Sequence, residues 1–332
     1  MPTALVTGAT GLVGSHIVER LGADGWSIRA LSRHPVPWLS DAGVDVRLGD
    51  VLDEAAFAGA ASGCDTIFHT VAVITQRGDW ETYRRLNVDG TRNAVAAAER
   101  SGARLLQFSS AAVYGPTGRY RGPLEKTDEH TALGPLPASA VYARSKRESE
   151  AIVLEAHANG RIWATAVRPD VIYGPRDRTF VPRAARLLRL GFAAVIGGGS
   201  STLAMVQAAN VADGAVLAAG SDVAGGRAYN LTNDFDVTVR EFIALAGEGL
   251  GKRVHIVSIP KGVARGALGA VKAATRLFAG NSLDLALDSS LDMMTKDNPF
   301  TSDLARRELG WVPKVEPRVG IPEAFRWWLT HR

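Results

Sequence analysis

Tyr142-Ala143-Arg144-Ser145-Lys146 sets a phenol and an amine four residues apart, so on a helix both face one side. A phenol can carry a proton to or from a carbonyl or alcohol oxygen. For that, a nearby cation must lower its pKa from about 10 toward the working range. Lys146 is placed to supply that charge. The spacing alone is common by chance. Its weight comes from Phe108-Ser109-Ser110, which ends an apolar strand. Strand C-termini are where open α/β sheets bind ligands, and Ser110 can hydrogen-bond the same substrate oxygen. The catalytic candidates are Ser110, Tyr142 and Lys146.

A second constellation opens the chain. Thr7-Gly8-Ala9-Thr10-Gly11-Leu12-Val13-Gly14 has the spacing G-x-x-G-x-x-G between a strand and a helix. Gly8 permits the tight turn, Gly11 lets backbone approach a pyrophosphate on the positive helix end, and Gly14 allows close helix–strand packing. Thr10 and Leu12 belong to the same dinucleotide contact. At the end of the second strand stand Ser32 and Arg33. No carboxylate there repels a 2′-phosphate, and a guanidinium can bind one bidentately, so NADP(H) is favoured and NAD(H) stays open. Gly49-Asp50-Val51 follows the third strand and is placed for the adenine; Asp50 also reads as a helix N-cap. Val71, just past the fourth strand, joins the cofactor residues.

These residues need elements to hold them. Strands are expected at Ala4–Val6, Ser27–Leu31, Val44–Leu48, Thr66–Phe68, Leu105–Phe108 and Trp163–Val167. Helices are expected at 12–21, 54–60, 87–100 and 142–158. This alternation predicts an α/β fold: a Rossmann-type doubly wound parallel sheet with a smaller, mostly helical substrate-binding region. The dinucleotide-binding domain is read as 1–173 plus about 206–233, where the chain returns to the sheet near 206–218 and 228–231. The substrate region is read as about 174–205 and 234–332. The stretch from Gly115 to Pro137 reads as a long loop. A net charge of +4 with interspersed acids excludes a nucleic-acid stripe. One cysteine, Cys64, excludes an internal disulfide, and no secretory signal or membrane span is visible, so the expected place is the cytoplasm. The seven histidines are scattered and no metal is expected. Within 261–278, Lys261, Arg265, Lys272 and Arg276 form a basic stripe. It reads as an ordinary surface helix before it reads as a membrane-surface contact.

The motifs together resemble the extended short-chain dehydrogenase/reductases, the group of nucleotide-sugar epimerases, dehydratases and 3β-hydroxysteroid dehydrogenases. The matching pieces are TGATGLVG, DTIFH, NVDGTRN, FSSAAVYG, YARSK, RPDVIYGPRD and LARRELGWVP, spread through the whole chain. The resemblance assigns the catalytic serine to Ser110 rather than Ser109. It implies that Asn87 supports the site, that Pro169 and Val171 line the nicotinamide side, and that Lys146 also holds the nicotinamide ribose. It implies a homodimer through helices 87–100 and 142–158. The chain departs from the nucleotide-sugar members: Asp170 or Val171 stands where Asn is usual, Thr202 to Met205 contain no Arg, and Gln207 replaces a His. Arg176, Arg178 and Arg183 could still meet a diphosphate. The departures resemble the 3β-hydroxysteroid dehydrogenase branch. They imply an alcohol–ketone interconversion on an apolar, steroid-like or aromatic small molecule, with a nucleotide-sugar epimerase or dehydratase as the alternative.

Overall fold

Short apolar runs without polar alternation make strands that must be covered on both faces. The computed structural model describes residues 1–74, 79–116, 125–232, 235–264, 266, 292 and 294–331. Its strands in chain order are β1 (Thr3–Thr7), β2 (Ser27–Ser32), β3 (Asp45–Leu48), β4 (Thr66–His69), β5 (Arg104–Phe108), β6 (Ala164–Pro169), β7 (Val171–Tyr173), β8 (Phe192–Ile196), β9 (Met205–Gln207), β10 (Ala228–Leu231) and β11 (His255–Ile259). Seven of them form one sheet in the order β10-β6-β5-β4-β1-β2-β3, every pair parallel. Helices α1 (Leu12–Ala23), α2 (Pro37–Asp41), α3 (Glu54–Ala61), α4 (Trp80–Tyr83), α5 (Gly90–Ser101) and α6 (Val141–Ala158) belong to its crossovers.

Alternate residues of each strand feed opposite layers. Leu5, Ile67 and Leu105 pack with Phe57, Val95 and Val153 of α3, α5 and α6. Val6, Phe68 and Leu106 pack with Ile17 and Leu21 of α1 and with Val211 and Ala215 of α8 (Ala208–Gly220). Full burial of one such large side chain contributes about 1.5–3 kcal/mol. The expected doubly wound parallel sheet is therefore present. Its strand order reverses between β1 and β4, which places a ligand crevice at their C-terminal ends.

A third apolar cluster joins Tyr173, Val195, Phe242 and Phe325, drawn from β7, β8, α9 (Val239–Gly249) and α11 (Pro317–Thr330). Helix α7 (Phe180–Leu188) packs on it, while α10 (Asp303–Leu309) lies on the sheet side. Here several expectations are corrected. Met205–Gln207 does not rejoin the large sheet; it pairs with β7, and the chain then turns helical at Ala208. Only Ala228–Leu231 returns, beside β6. The pair β8–β11 and the short helices α2 and α4 carry too little periodicity to be read from sequence. The helix expected from Asn87 begins as a π-helical turn, Arg84–Asp89, before Gly90. The Asn87 carbonyl there accepts from the Thr91 and Ser149 hydroxyls, both at 2.7 Å, side-chain bonds that compete with regular helix. In the loop from Gly115, residues 117–124 lie outside the described residues, as does most of 261–278. No helix among the described residues is long and apolar enough to cross a membrane.

Candidate active site

The glycine turn is shaped by close approach. Gly8 has φ +72°, and a Cβ there would stand 2.5 Å from Thr70 Oγ1. A Cβ on Gly14 would stand 2.2 Å from the Gly8 carbonyl oxygen. One on Gly11 would meet the same oxygen at 3.1 Å, where its own N–H already donates at 2.8 Å. Gly11 begins α1 with no side-chain cap and no acid in the first turn. The positive end of a twelve-residue helix is thus left open beside Thr10 and Leu12. These features fit a bound pyrophosphate.

From this turn a chain of contacts leads to the Tyr–Lys helix. Thr70 Oγ1 donates to the Thr7 carbonyl at 2.7 Å, and Val71 packs against Gly8. Two residues on, the Val73 N–H donates to Asn87 Oδ1 at 2.7 Å. Asn87 Nδ2 donates to Ser145 Oγ at 2.9 Å, and Ser145 donates to the Tyr142 carbonyl at 2.8 Å. Asn87 therefore ties the loop after β4 to the turn carrying Tyr142 and Lys146.

Ser110 ends β5's extension and begins a short 3-10 turn, its Oγ accepting from Ala112 N at 3.2 Å. The Ser110 side chain also acts on the Tyr142 phenol. Part of the Tyr142 residue reaches the surface, but its phenol end is enclosed. Burial pushes that phenol up to about 12, Ser110 works against the rise, and Asp170 and Tyr83 add to it. The expected lowering by Lys146 is absent. The Lys146 ammonium donates instead to the Phe108 carbonyl at 2.7 Å. Burial pulls it down to about 8, against the pull of Glu150. Glu150, one turn further along α6, is held by Arg168 in a buried bidentate pair at 2.5 and 2.9 Å. His69, at the end of β4, is also enclosed. Burial first and Lys146 second hold it at about 3, so it is neutral. Its Nδ1 meets Thr7 Oγ1 at 2.9 Å, while Nε2 has no hydrogen-bond partner among the described residues. A polar residue closing the strand TIFH was the one sequence sign of His69. Nothing marked the pair Glu150–Arg168, eighteen residues apart.

The remaining cofactor candidates lie along the same C-terminal edge. Ser32 ends β2, its hydroxyl turned to the His34 carbonyl at 2.8 Å, and Arg33 is exposed. Asp50 is not the helix cap: its carboxylate accepts from Leu52 N at 3.0 Å, and Asp53 caps α3 through Ala56 N at 3.0 Å. The turn through Asp50 places the cap three residues later. Val51 is buried under α5. Pro169 ends β6 and Val171 starts β7, with Asp170 between them near Tyr142.

Residues 4–232 match the NAD dependent epimerase/dehydratase family. Over 95% of its length the chain is 30% identical to the 4-hydroxy-2-methyl-3-oxo-4-farnesyl-3,4-dihydroquinoline-1-oxide ketoreductase of Stigmatella aurantiaca, covering 93% of that protein. It is 29% identical to the 2-alkyl-3-oxoalkanoate reductase of Stenotrophomonas maltophilia over 96% of both chains. It is 27% identical to the 3 beta-hydroxysteroid dehydrogenase/Delta 5-->4-isomerase of Mycobacterium tuberculosis, over 98% of this chain and 90% of that one. Among solved structures, gox2253 superposes with a TM-score of 0.79 at 26% identity, covering 100% of this chain and 99% of that one.

Proposed function

The chain belongs to the NAD dependent epimerase/dehydratase family, and from that premise we propose that it interconverts a ketone and an alcohol on an apolar substrate through Ser110, Tyr142 and Lys146. It is an NAD-dependent oxidoreductase of the extended short-chain type. The observation that carries the finer reading is Ser110 acting on the Tyr142 phenol, which stands one helical turn from Lys146 and is tied to the glycine loop through Asn87.

The glycine loop from Gly8 to Gly14 would hold the dinucleotide's pyrophosphate. Val71, Pro169 and Val171 would flank its nicotinamide half, and Asp50 and Val51 its adenosine. When bound, this cofactor supplies the two-electron exchange with the substrate carbon. The protein's share is the proton and the geometry. A phenol at about 12 is protonated at neutral pH, which suits Tyr142 to donate to a ketone oxygen. Ser110 orients that oxygen. Lys146, still charged at neutral pH, stands one helical turn from Tyr142, and its share in this reading is to hold the nicotinamide ribose. The reducing direction also agrees with the names of the Stigmatella and Stenotrophomonas relatives.

An apolar substrate is supported where a diphosphate would need cations. Leu203, Ala204 and Met205 are buried, and the Thr202 N–H donates to the Asp297 carboxylate at 3.0 Å. A carboxylate there repels a second anion. Gln207 is committed to capping α8. Arg176 pairs with Glu19 on α1 at 2.7 Å.

The phosphorylated cofactor remains part of the proposal. Arg33 is exposed at the end of β2, with no acid beside it in sequence. NADPH is expected to bind more tightly than NADH, and Arg33→Ala to remove that preference while leaving NADH little changed. Equal affinities in the unaltered protein would refute it. We also retain the homodimer through α5 and α6 as a proposal. The deciding experiment is turnover with each nucleotide against steroid, quinolone, 3-oxoacid and sugar-nucleotide ketones. Net oxidation of NAD(P)H with one of the apolar ketones supports the reading. Conversion of a sugar nucleotide without net redox change would overturn it.

A further inference from the structure

We propose that Arg178 is the cation that closes the glycine loop over the dinucleotide's pyrophosphate, an assignment that rests on the reading of that loop given above. Its Nη2 donates to the Thr10 carbonyl at 3.4 Å, joining residues 168 positions apart. The contact places a guanidinium directly beside the uncapped start of α1.

A pyrophosphate brings two negative charges, whereas a helix end offers about half a positive charge. A full cation is needed within a few ångströms, and the other bases near the loop are engaged. Arg176 is paired with Glu19, and Lys146 is buried on the Phe108 carbonyl. Arg178 is exposed and holds one long bond to a neutral acceptor. Among the described residues no carboxylate pairs with it. Its neighbour Asp177 cannot serve. That carboxylate accepts from the N–H groups of Thr179, Phe180 and Val181, at 2.7, 3.1 and 2.9 Å, and from the Thr179 hydroxyl at 3.1 Å. Both oxygens are thus spent on the start of α7.

The backbone that carries the side chain is anchored on both sides. Asp177 is 2% exposed and anchors one side. On the other, Arg176 has φ +71°, the one left-handed non-glycine among the described residues, and is fixed to α1 through Glu19. Such a conformation persists only where surroundings over-determine it, and it clusters at ligand clamps. The anchored backbone keeps Arg178 within reach of the loop. A guanidinium can exchange a neutral carbonyl for two phosphate oxygens in a bidentate, charge-assisted contact. Arg178, one of the three arginines that could meet a substrate diphosphate, would then meet the cofactor's diphosphate instead.

The test is direct binding, measured by titrating NADH and NADPH and following nucleotide fluorescence. Arg178→Gln is expected to weaken both nucleotides by about tenfold or more and to the same extent, since the pyrophosphate is common to them. Arg178→Lys is expected to recover part of the loss, and the gap between Gln variant and unaltered protein to narrow at high salt. An Arg178→Gln protein with unchanged affinities and unchanged melting would overturn the assignment. So would a loss confined to NADPH, which would move Arg178 to the 2′-phosphate, or a loss confined to UDP, used as a diphosphate probe. If the unaltered protein bound neither nucleotide, the reading of the glycine loop itself would fail, an outcome plainly separate from the others.

Discussion

Lys146 keeps an ammonium away from water, with the Phe108 carbonyl as its hydrogen-bond acceptor and Glu150 already shared with Arg168. Its folded pKa of about 8 lies below the ordinary value of 10.5. Between these pH values the unfolded chain holds the extra proton, so stability rises with pH from about 8 to 10.5. Below that window the cost is present in full, on the order of 3 kcal/mol. Lys146→Met should therefore raise the melting temperature at neutral pH by a few degrees while abolishing turnover, and should flatten the rise of stability across that window. Calorimetric melting from pH 7 to 10 checks it, and a variant that melts lower at pH 7 would contradict it. Tyr142→Phe is the complementary change. It removes the transferable proton and leaves the ring, with its edge-on contact to Tyr83 at 6.3 Å between centroids. Turnover should fall by about 10²–10⁴ with nucleotide binding retained. Near-normal turnover would end the assignment.

At the scale of elements, the same substitution has opposite signs at two glycines. In Gly14→Ala the new methyl group meets the Gly8 carbonyl at 2.2 Å, so α1 must withdraw from the turn. A cost of about 1–3 kcal/mol and weaker nucleotide binding are expected. Gly59 lies inside α3 with nothing within 4 Å of a Cβ, so Gly59→Ala should gain up to about 1 kcal/mol in helix propensity. Paired melting curves that shift the same way would refute the argument. The glycine loop was legible in the sequence because its chemistry is local: a strand, three glycines and a helix within a dozen residues. Tyr142 and Lys146 were legible because one helical turn relates them. What escaped depends on contacts far apart in the chain. The Lys146–Phe108 bond spans 38 residues and decides where the ammonium rests, so the expected lowering of Tyr142 did not follow from spacing alone. Gln207 and Asp297 likewise acquire their meaning only from β9 and from the return of the chain past residue 294.

Across the whole molecule, the seven-stranded sheet has two edges, each guarded against pairing with another chain. At β3 the guard is charge: Asp45 is held between Arg29 at 3.2 Å and Arg47 at 2.9 Å. At β10 it is cover, the Asn230 N–H donating to the Glu129 carboxylate at 2.7 Å. Between them lies Cys64, 4% exposed, its thiol pKa raised by burial. A protonated, enclosed thiol does not meet a reagent in solution. Cys64 is the chain's one cysteine, so its labelling rate reports a single event, the parting of α3 from the sheet. Native protein should label far more slowly than the chain in denaturant; equal rates would show that the thiol is not enclosed. If the opening also dissolves the nucleotide site at the end of β1, a nucleotide at a hundred times its Kd should slow labelling about a hundredfold. If α3 frays alone, the rate will not change. The buried sulfur is in this sense a clock for the protein's own breathing, and it can be read before any substrate is known.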